Sequence, residues 1–379
     1  MPCPPDLAQR SLAGETFRRS LLVSLLDDPA IDTLELVHQA YLVRRHHFGR
    51  EVQVHVLNNA QNGRCPEDCS YCTQAKTSEA GIEPYAMKPA GEVLAEAQRA
   101  YEAGAHRYCM VFSGRGPSAK RTEQLAGLIR EVKGRFPTLE VCVSAGLLDG
   151  PKAEVLAEAG LDRLNHNLNT SPERYGKICT THTHQDRVDT LRAARAAGLS
   201  TCSGFIAGMG EDSGELADLC LRFRELGTDS IPVNFLLPFE GNVLEDPTGL
   251  DPLRCLRILS VVRLTNPAAD VRCAAGREFH LRSLEALCLQ PANSLFLDGY
   301  LNGKGAQRKR VYAMIRDAGF SIVSDASTVQ ELADRDVPAD REPGGLSTLT
   351  VRGERAVLKQ PAELRPAKAK PESERTLAV

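Results

Sequence analysis

The feature that most restricts the fold is an alternation of strand-like and helical segments across residues 51–297. Segments 52–57, 107–112, 139–144, 163–168, 200–206, 230–235, 270–274 and 294–297 read as strands. Between them, 91–103, 122–136, 151–159, 186–197, 213–226, 252–264 and 282–289 carry apolar residues at helical spacing. Gly104, Gly160, Gly198 and Gly227 stand at helix ends, where a left-handed residue stops the helix. Eight strands separated by helices predict an α/β chain folded as a (β/α)8 TIM-type barrel. A doubly wound open sheet would show the same alternation.

The flanks read differently. Residues 1–50 predict a polar start and two helices, the second marked by Leu34, Val37, Ala40 and Tyr41. Residues 18–26 resemble a short export signal, but the run ends in Asp27-Asp28 and no small-residue cleavage site follows. An amphipathic helix packed on the body of a cytoplasmic protein is therefore expected. The organisation is an N-terminal helical extension over 1–50, a barrel over 51–325 and a polar tail over 326–379. In that tail Pro, Glu, Lys and Ala dominate past about Val337, and disorder is expected.

A net charge of −3 gives no footprint for nucleic acid or anionic lipid, and no apolar run approaches the ~18–20 residues of a membrane span. The 379 residues include twelve cysteines, which in a chain this long without a signal point to metal binding or catalysis rather than a disulfide framework.

Three of them form Cys65-Pro66-Glu67-Asp68-Cys69-Ser70-Tyr71-Cys72, just after the first strand, where loops of this barrel carry chemistry. Gly63 and Pro66 favour the irregular backbone such a loop needs. Zinc sites usually close with four ligands, whereas three thiolates on a four-iron cubane leave one iron open. A zinc loop borrowing a distant His or Cys is the other reading. The spacing, with Tyr71 before the third cysteine, resembles the radical S-adenosylmethionine superfamily.

Strand periodicity supplies a second, independent pattern. Alternate residues share a face, which groups Arg107 with Cys109, Glu140 with Cys142, Asn165 with Asn167 and Asn169, Ser200 with Cys202 and Gly204, Pro232 with Asn234, and Asp270 with Arg272. The opposite faces, such as Tyr108, Met110 and Phe112, are apolar and suit packing under helices. The implied interior holds three cysteines, four asparagines and two arginines, where an ordinary barrel has branched apolar side chains. A polar or metallic occupant is expected.

Segments 107–110, 140–142, 165–173, 201–204 and 271–278, together with Cys65–Cys72, resemble biotin synthases over roughly residues 30–325. That resemblance implies a 4Fe–4S cluster on Cys65, Cys69 and Cys72, and a 2Fe–2S cluster on Cys109, Cys142, Cys202 and Arg272. It implies S-adenosylmethionine contacts at Tyr71, Gly204, Ile206 and Asn169, and substrate contacts at Asn167 and Asn234. Arg107 is expected to support the deeper site. The implied reaction inserts sulfur from the 2Fe–2S cluster into dethiobiotin, with a flavodoxin- or ferredoxin-type reductant, iron–sulfur assembly machinery and a homodimer as partners. A maturase-like or methylornithine synthase-like enzyme, or a non-catalytic iron–sulfur sensor, are the alternatives. Phe205 and Asn169 depart from residues common in the family. Phe205 is expected on the helix-facing side.

The remaining cysteines read as structural. Cys179 with His182 and His184 suggests a helix-capping loop with incidental histidines rather than a zinc fragment. Cys220, Cys255 and Cys288 are expected in helix cores, Cys273 faces away from Arg272, and Cys3 falls in a loose terminus. His46-His47 reads as a solvated helix end.

Overall fold

The computed structural model describes residues 3–324, 331–332 and 355–366. It begins with three helices, α1 (Leu7–Leu12), α2 (Arg19–Asp27) and α3 (Thr33–Phe48). Strands β1 (Glu51–Gln61), β2 (Arg107–Phe112), β3 (Glu140–Ser144), β4 (Arg163–Asn165), β5 (Ser200–Cys202), β6 (Phe205–Ala207), β7 (Ser230–Phe235), β8 (Asp270–Cys273) and β9 (Ser294–Leu297) follow. Between them lie α4 (Ala90–Glu102), α5 (Ala119–Arg135), α6 (Gly150–Glu158), α7 (Pro172–Ile178), α8 (His184–Ala196), α9 (Ser213–Glu225), α10 (Pro252–Thr265) and α11 (Arg277–Leu281). A tight helix, Arg282–Leu289, precedes β9, while α12 (Arg308–Asp317) and β10 (Ser321–Ile322) come after it.

The strands are parallel, and β1 pairs with both β2 and β9, so the sheet closes into a barrel and the open-sheet alternative falls. The fifth strand place is shared. β5 pairs with β4 and β7, the chain breaks at Ser203-Gly204, and β6 resumes beside β7. Gly204 is required there, because a Cβ would fall 1.8 Å from the Pro232 carbonyl oxygen.

Helix starts follow local chemistry. Asp149, Thr183, Asp212 and Asp251 each accept a backbone N–H in the first turn of α6, α8, α9 and α10. Apolar strand faces, including Tyr108, Met110, Val141 and Leu164, join one large core under the helices. Cys109, Cys142 and Cys202 fall in a separate inner cluster with Ala274 and Phe296. Period-two alternation thus sorts the two faces as expected. Phe205 points outward and stacks on Phe223 of α9, with ring centroids 6.0 Å apart.

The N-terminal extension has three helices where two are expected. Leu22, Leu25 and Leu26 of α2 are buried, against α9 and α10, as the amphipathic reading requires. Cys3 is buried in this packing rather than loose. Cys220, Cys255, Cys273 and Cys288 are core residues, and His46 and His47 are exposed. No helix among the described residues is long and apolar enough to cross a membrane.

Most of the expected tail lies outside the described residues, but 355–366 is placed and packed. Ala356 N–H donates to Pro238 O at 3.0 Å, Lys359 N–H to Asn302 O at 2.7 Å, and Leu358 pairs with Gly303. Leu364 is buried, and its carbonyl accepts from Lys88 Nζ at 2.8 Å. Composition averaged over the whole tail hides this short segment, which is held by backbone pairing and one apolar anchor.

Candidate active site

One cavity takes in all three inner cysteines and, of the loop cysteines, Cys65 and Cys72 but not Cys69. Its volume is about 1480 Å³ counting the open mouth, and its wall includes Cys65, Cys72, Cys109, Cys142, Cys202 and Arg272. The deep end is built by adjacent strands. Cys109 of β2 pairs in register with Cys142 of β3, and Asn165 of β4 with Cys202 of β5. The Cys142 thiol shares one buried cluster with those of Cys109 and Cys202. Hydrogen bonding between the thiols moves their acidities apart: Cys109 is lowered by Cys142, while Cys142 is raised to about 12 by Cys109.

Arg272 completes this end. Its Nη1 lies 3.8 Å from Cys202 Sγ, and Nη2 donates to Ser230 Oγ and Asp270 Oδ2, each at 2.9 Å. Arg107 also reaches Asp270, with Nη1 to Oδ2 at 3.0 Å, and its other side grips Glu140, with Nε to Oε2 at 2.8 Å. Asp270 further accepts from Ser230 Oγ at 2.7 Å and Asn293 Nδ2 at 3.2 Å. Burial resists its ionisation, but Arg272 and Arg107 outweigh this and hold its carboxyl well below the usual carboxylate range.

The open end is the loop after β1. Turns formed by Cys72 N–H to Cys69 O at 3.0 Å and Ala75 N–H to Cys72 O at 3.1 Å curl it, and Gly63 enters it at φ +69°. Burial raises the Cys65 thiol and pushes Cys72 up to about 11. Tyr71 is near Asn169, whose amide oxygen faces both the Tyr71 hydroxyl and Arg187.

The asparagine row is not one strand. β4 stops at Asn165, and Asn169 sits at φ +69°, a left-handed conformation that Asn tolerates. Asn165, Asn167 and Asn169 nevertheless all reach the cavity wall, as do Ile206 and Asn234. Asn167 Oδ1 accepts from Gly204 N–H at 3.0 Å. Gly204 itself is not on the wall, so its part is close packing and support of Asn167. The Asn234 amide is engaged by backbone, donating to Phe205 O at 3.0 Å and accepting from Ala275 N–H at 3.2 Å.

Three groups have a part in the site that the sequence reading did not give them. Arg187 is buried on the wall, donating to Asn167 O at 2.8 Å and to His182 Nε2 at 2.7 Å. Asp270 shares a strand face with Arg272, as the alternation already groups them, but its bonds to both Arg272 and Arg107 show only in the fold. Cys179 is the third: it stands in the capping loop after α7, as expected, but its Sγ lies 3.7 Å from Cys69 Sγ and 3.3 Å from His182 Nδ1. No local signal links positions 110 residues apart.

The donors fit iron–sulfur groups. Three converging thiols beside a nitrogen donor suit soft iron rather than a hard cation, and Arg272 Nε is buried without a hydrogen-bond partner. The loop thiols Cys65 and Cys72 face open cavity, leaving room for a ligand on an exposed iron.

Comparisons with known proteins agree. A family model described as the radical SAM superfamily matches residues 62–222, and one described as the biotin and thiamin synthesis associated domain matches 232–321. The biotin synthase of Acaryochloris marina is 51% identical over 322 residues, covering 85% of this chain and 93% of the relative. That of Magnetococcus marinus is 51% identical over 316 residues, covering 83% and 98%. Solved structures of methylornithine synthase (TM-score 0.71, 23% identity, 83% and 96% covered) and of the FeFe-hydrogenase maturase of Carboxydothermus hydrogenoformans (0.70, 16%, 84% and 79%) share the fold. Half of all aligned positions are identical to biotin synthases, over nearly their full length, and the chain belongs to the biotin synthase family.

Proposed function

We propose that this chain converts dethiobiotin to biotin as a radical S-adenosylmethionine enzyme. The observation that carries the reading is the single cavity joining the Cys65–Cys72 loop to Cys109, Cys142, Cys202 and Arg272. Cys65, Cys69 and Cys72 hold the 4Fe–4S cluster, and Cys109, Cys142, Cys202 and Arg272 hold the 2Fe–2S cluster. When bound, these groups and S-adenosylmethionine supply a carbon-centred radical and the sulfur atom.

The protein's own share is positioning and exclusion of water. Asp270 fixes Arg272 Nη2 and so directs Nη1 toward Cys202. Arg107 ties the same carboxylate to Glu140 on β3. Asn167 and Asn169 present amides to the ribose and substrate, Tyr71 and Ile206 flank the cofactor, and Arg187 offers a buried positive charge to a carboxylate. Asn234 keeps one oxygen lone pair for the substrate's urea N–H. A closed barrel with ends of opposite purpose keeps a reactive radical between its source and its sulfur. Cytoplasmic location, a flavodoxin- or ferredoxin-type reductant, resupply by assembly machinery and a homodimer complete the reading.

The test is iron, sulfide and Mössbauer analysis of anaerobically reconstituted protein beside Cys65→Ala and Cys142→Ala. Each variant should lose one cluster type and keep the other, and only the wild type should make biotin. A 4Fe–4S signal alone, unaffected by Cys142→Ala, would remove the sulfur donor from the reading.

A further inference from the structure

Cys179 caps α7 with its sulfur 3.7 Å from Cys69 Sγ, and the metal-ligand reading gives it no part. The approach is not a chance contact of mobile loops. Segments 67–70 and 178–182 are fastened together by several hydrogen bonds. Ser70 N–H donates to Ile178 O at 2.9 Å. The Asp68 carboxylate accepts from Thr180 N–H at 2.9 Å and Thr181 N–H at 3.2 Å, and the Thr181 hydroxyl donates to Glu67 at 2.6 Å. The two thiols are held at the seam between these segments. A disulfide needs about 2.05 Å between sulfurs, so from 3.7 Å the two have less than 2 Å to close.

Access is unequal. Cys179 lines a surface cleft with Thr180, His182 and His184, whereas Cys69 is not part of that wall. The cleft gives a small oxidant a route to Cys179, with Cys69 behind it as the second thiol.

We propose that Cys69 and Cys179 form a reversible disulfide in the cluster-free chain, which takes Cys69 out of the three-cysteine loop until it is reduced. With a glutathione-type disulfide as oxidant, Cys179 attacks one sulfur and releases one reduced thiol, forming a mixed disulfide. Cys69 then attacks the Cys179 sulfur and releases the second. Two protein thiols are oxidised, one small disulfide is reduced to two thiols, and the two thiol protons leave with them. A dithiol reductant reverses both steps. The bond itself stands on geometry, while its effect on cluster loading rests on the assignment of Cys69 as a ligand.

The experiment treats cluster-free full-length chain with oxidised glutathione and maps peptides by mass spectrometry without reduction. The expected product is a Cys69–Cys179 linked peptide, two hydrogen masses below the sum of its parts, that disappears with dithiothreitol. Oxidised wild type should then take up no 4Fe–4S cluster until reduced. Untreated Cys179→Ser should load that cluster like wild type and never yield the linked peptide. Predominant bonds within Cys65–Cys72, or mixed disulfides alone, would overturn the proposal, as would loss of the cluster from untreated Cys179→Ser. Full cluster loading of a chain shown to carry the Cys69–Cys179 bond would overturn the switch and count against Cys69 as a ligand, leaving the bond itself established.

Discussion

Asp270 is where single-residue chemistry is most concentrated. Its carboxylate takes hydrogen bonds from two guanidiniums and from Ser230 and Asn293, all inside the barrel. Asp270→Asn keeps the shape but removes the charge facing Arg107 and Arg272. Breaking one side of a buried ionic set costs about 3–5 kcal/mol, so the unfolding midpoint in urea should fall clearly. The 2Fe–2S content should drop while the 4Fe–4S content holds, as read by iron and sulfide analysis with Mössbauer spectra. Equal loss of both would mean that Asp270 supports the barrel and not Arg272 in particular. At this scale the sequence was legible where geometry is local. A pleat turns alternate residues inward, so Cys109, Cys142, Cys202 and Arg272 could be placed from spacing alone. Cys179 could not, because its neighbour is chosen by how α7 docks on a loop 110 residues earlier.

Elements were legible where caps and breakers mark them, and less so where two strands share one place. The predicted strand 200–206 is β5 and β6 with a break at Ser203-Gly204, and the alternation pattern has no way to show a one-residue approach to the Pro232 carbonyl. Gly204→Ala should cost about 3 kcal/mol or more, since its Cβ meets backbone rather than a movable side chain. It should also shift Asn167, which Gly204 N–H supports, so the affinity for dethiobiotin should weaken in calorimetric titration even where the chain folds. Short α7 and α11 fell below the length at which periodicity speaks. The first of these is fastened to α9 through Arg174, whose Nη2 lies 2.6 Å from Glu215 Oε2, and through Ser171 Oγ, 2.7 Å from Oε1. Burial would raise the Glu215 carboxyl, but these bonds prevail and lower it to about 2. A depressed carboxylate stabilises the fold fully above its unfolded value of about 4.3 and loses that contribution as pH falls toward the folded value. Glu215→Gln should therefore be less stable than wild type by about 1–3 kcal/mol from pH 5 to 8. The gap should narrow below about pH 4.3 in urea titrations of the cluster-free chain.

At the scale of the molecule, loops at the barrel mouth are backed partly by sequence that composition assigns to a tail. Residues 355–366 run along the loops after β7 and β9, pairing with Pro238, Asn302 and Gly303, and the last two of these line the cavity. Farther along, Arg365 Nε bonds Glu92 Oε1 at 2.7 Å, and Lys88, 1% exposed, splits its ammonium between Glu96 and the Leu364 carbonyl. A chain ending at residue 354 would leave Lys88 in contact with Glu96 alone and uncover the backbone of the loop around Gly303. Losing a buried charge's hydrogen bond costs about 1.5–3 kcal/mol, and a lower thermal midpoint should follow. Chemistry should suffer separately from stability. A cavity wall with no backing admits water and lets the radical be spent without sulfur transfer. The shortened chain should thus release more 5′-deoxyadenosine per biotin than the full chain, measured by chromatography at a temperature where both stay folded. Unchanged coupling with a lowered midpoint would make the segment a structural fastening only. A changed ratio at equal cluster content would show that residues 355–366 help to seal the site from behind the loops after β7 and β9.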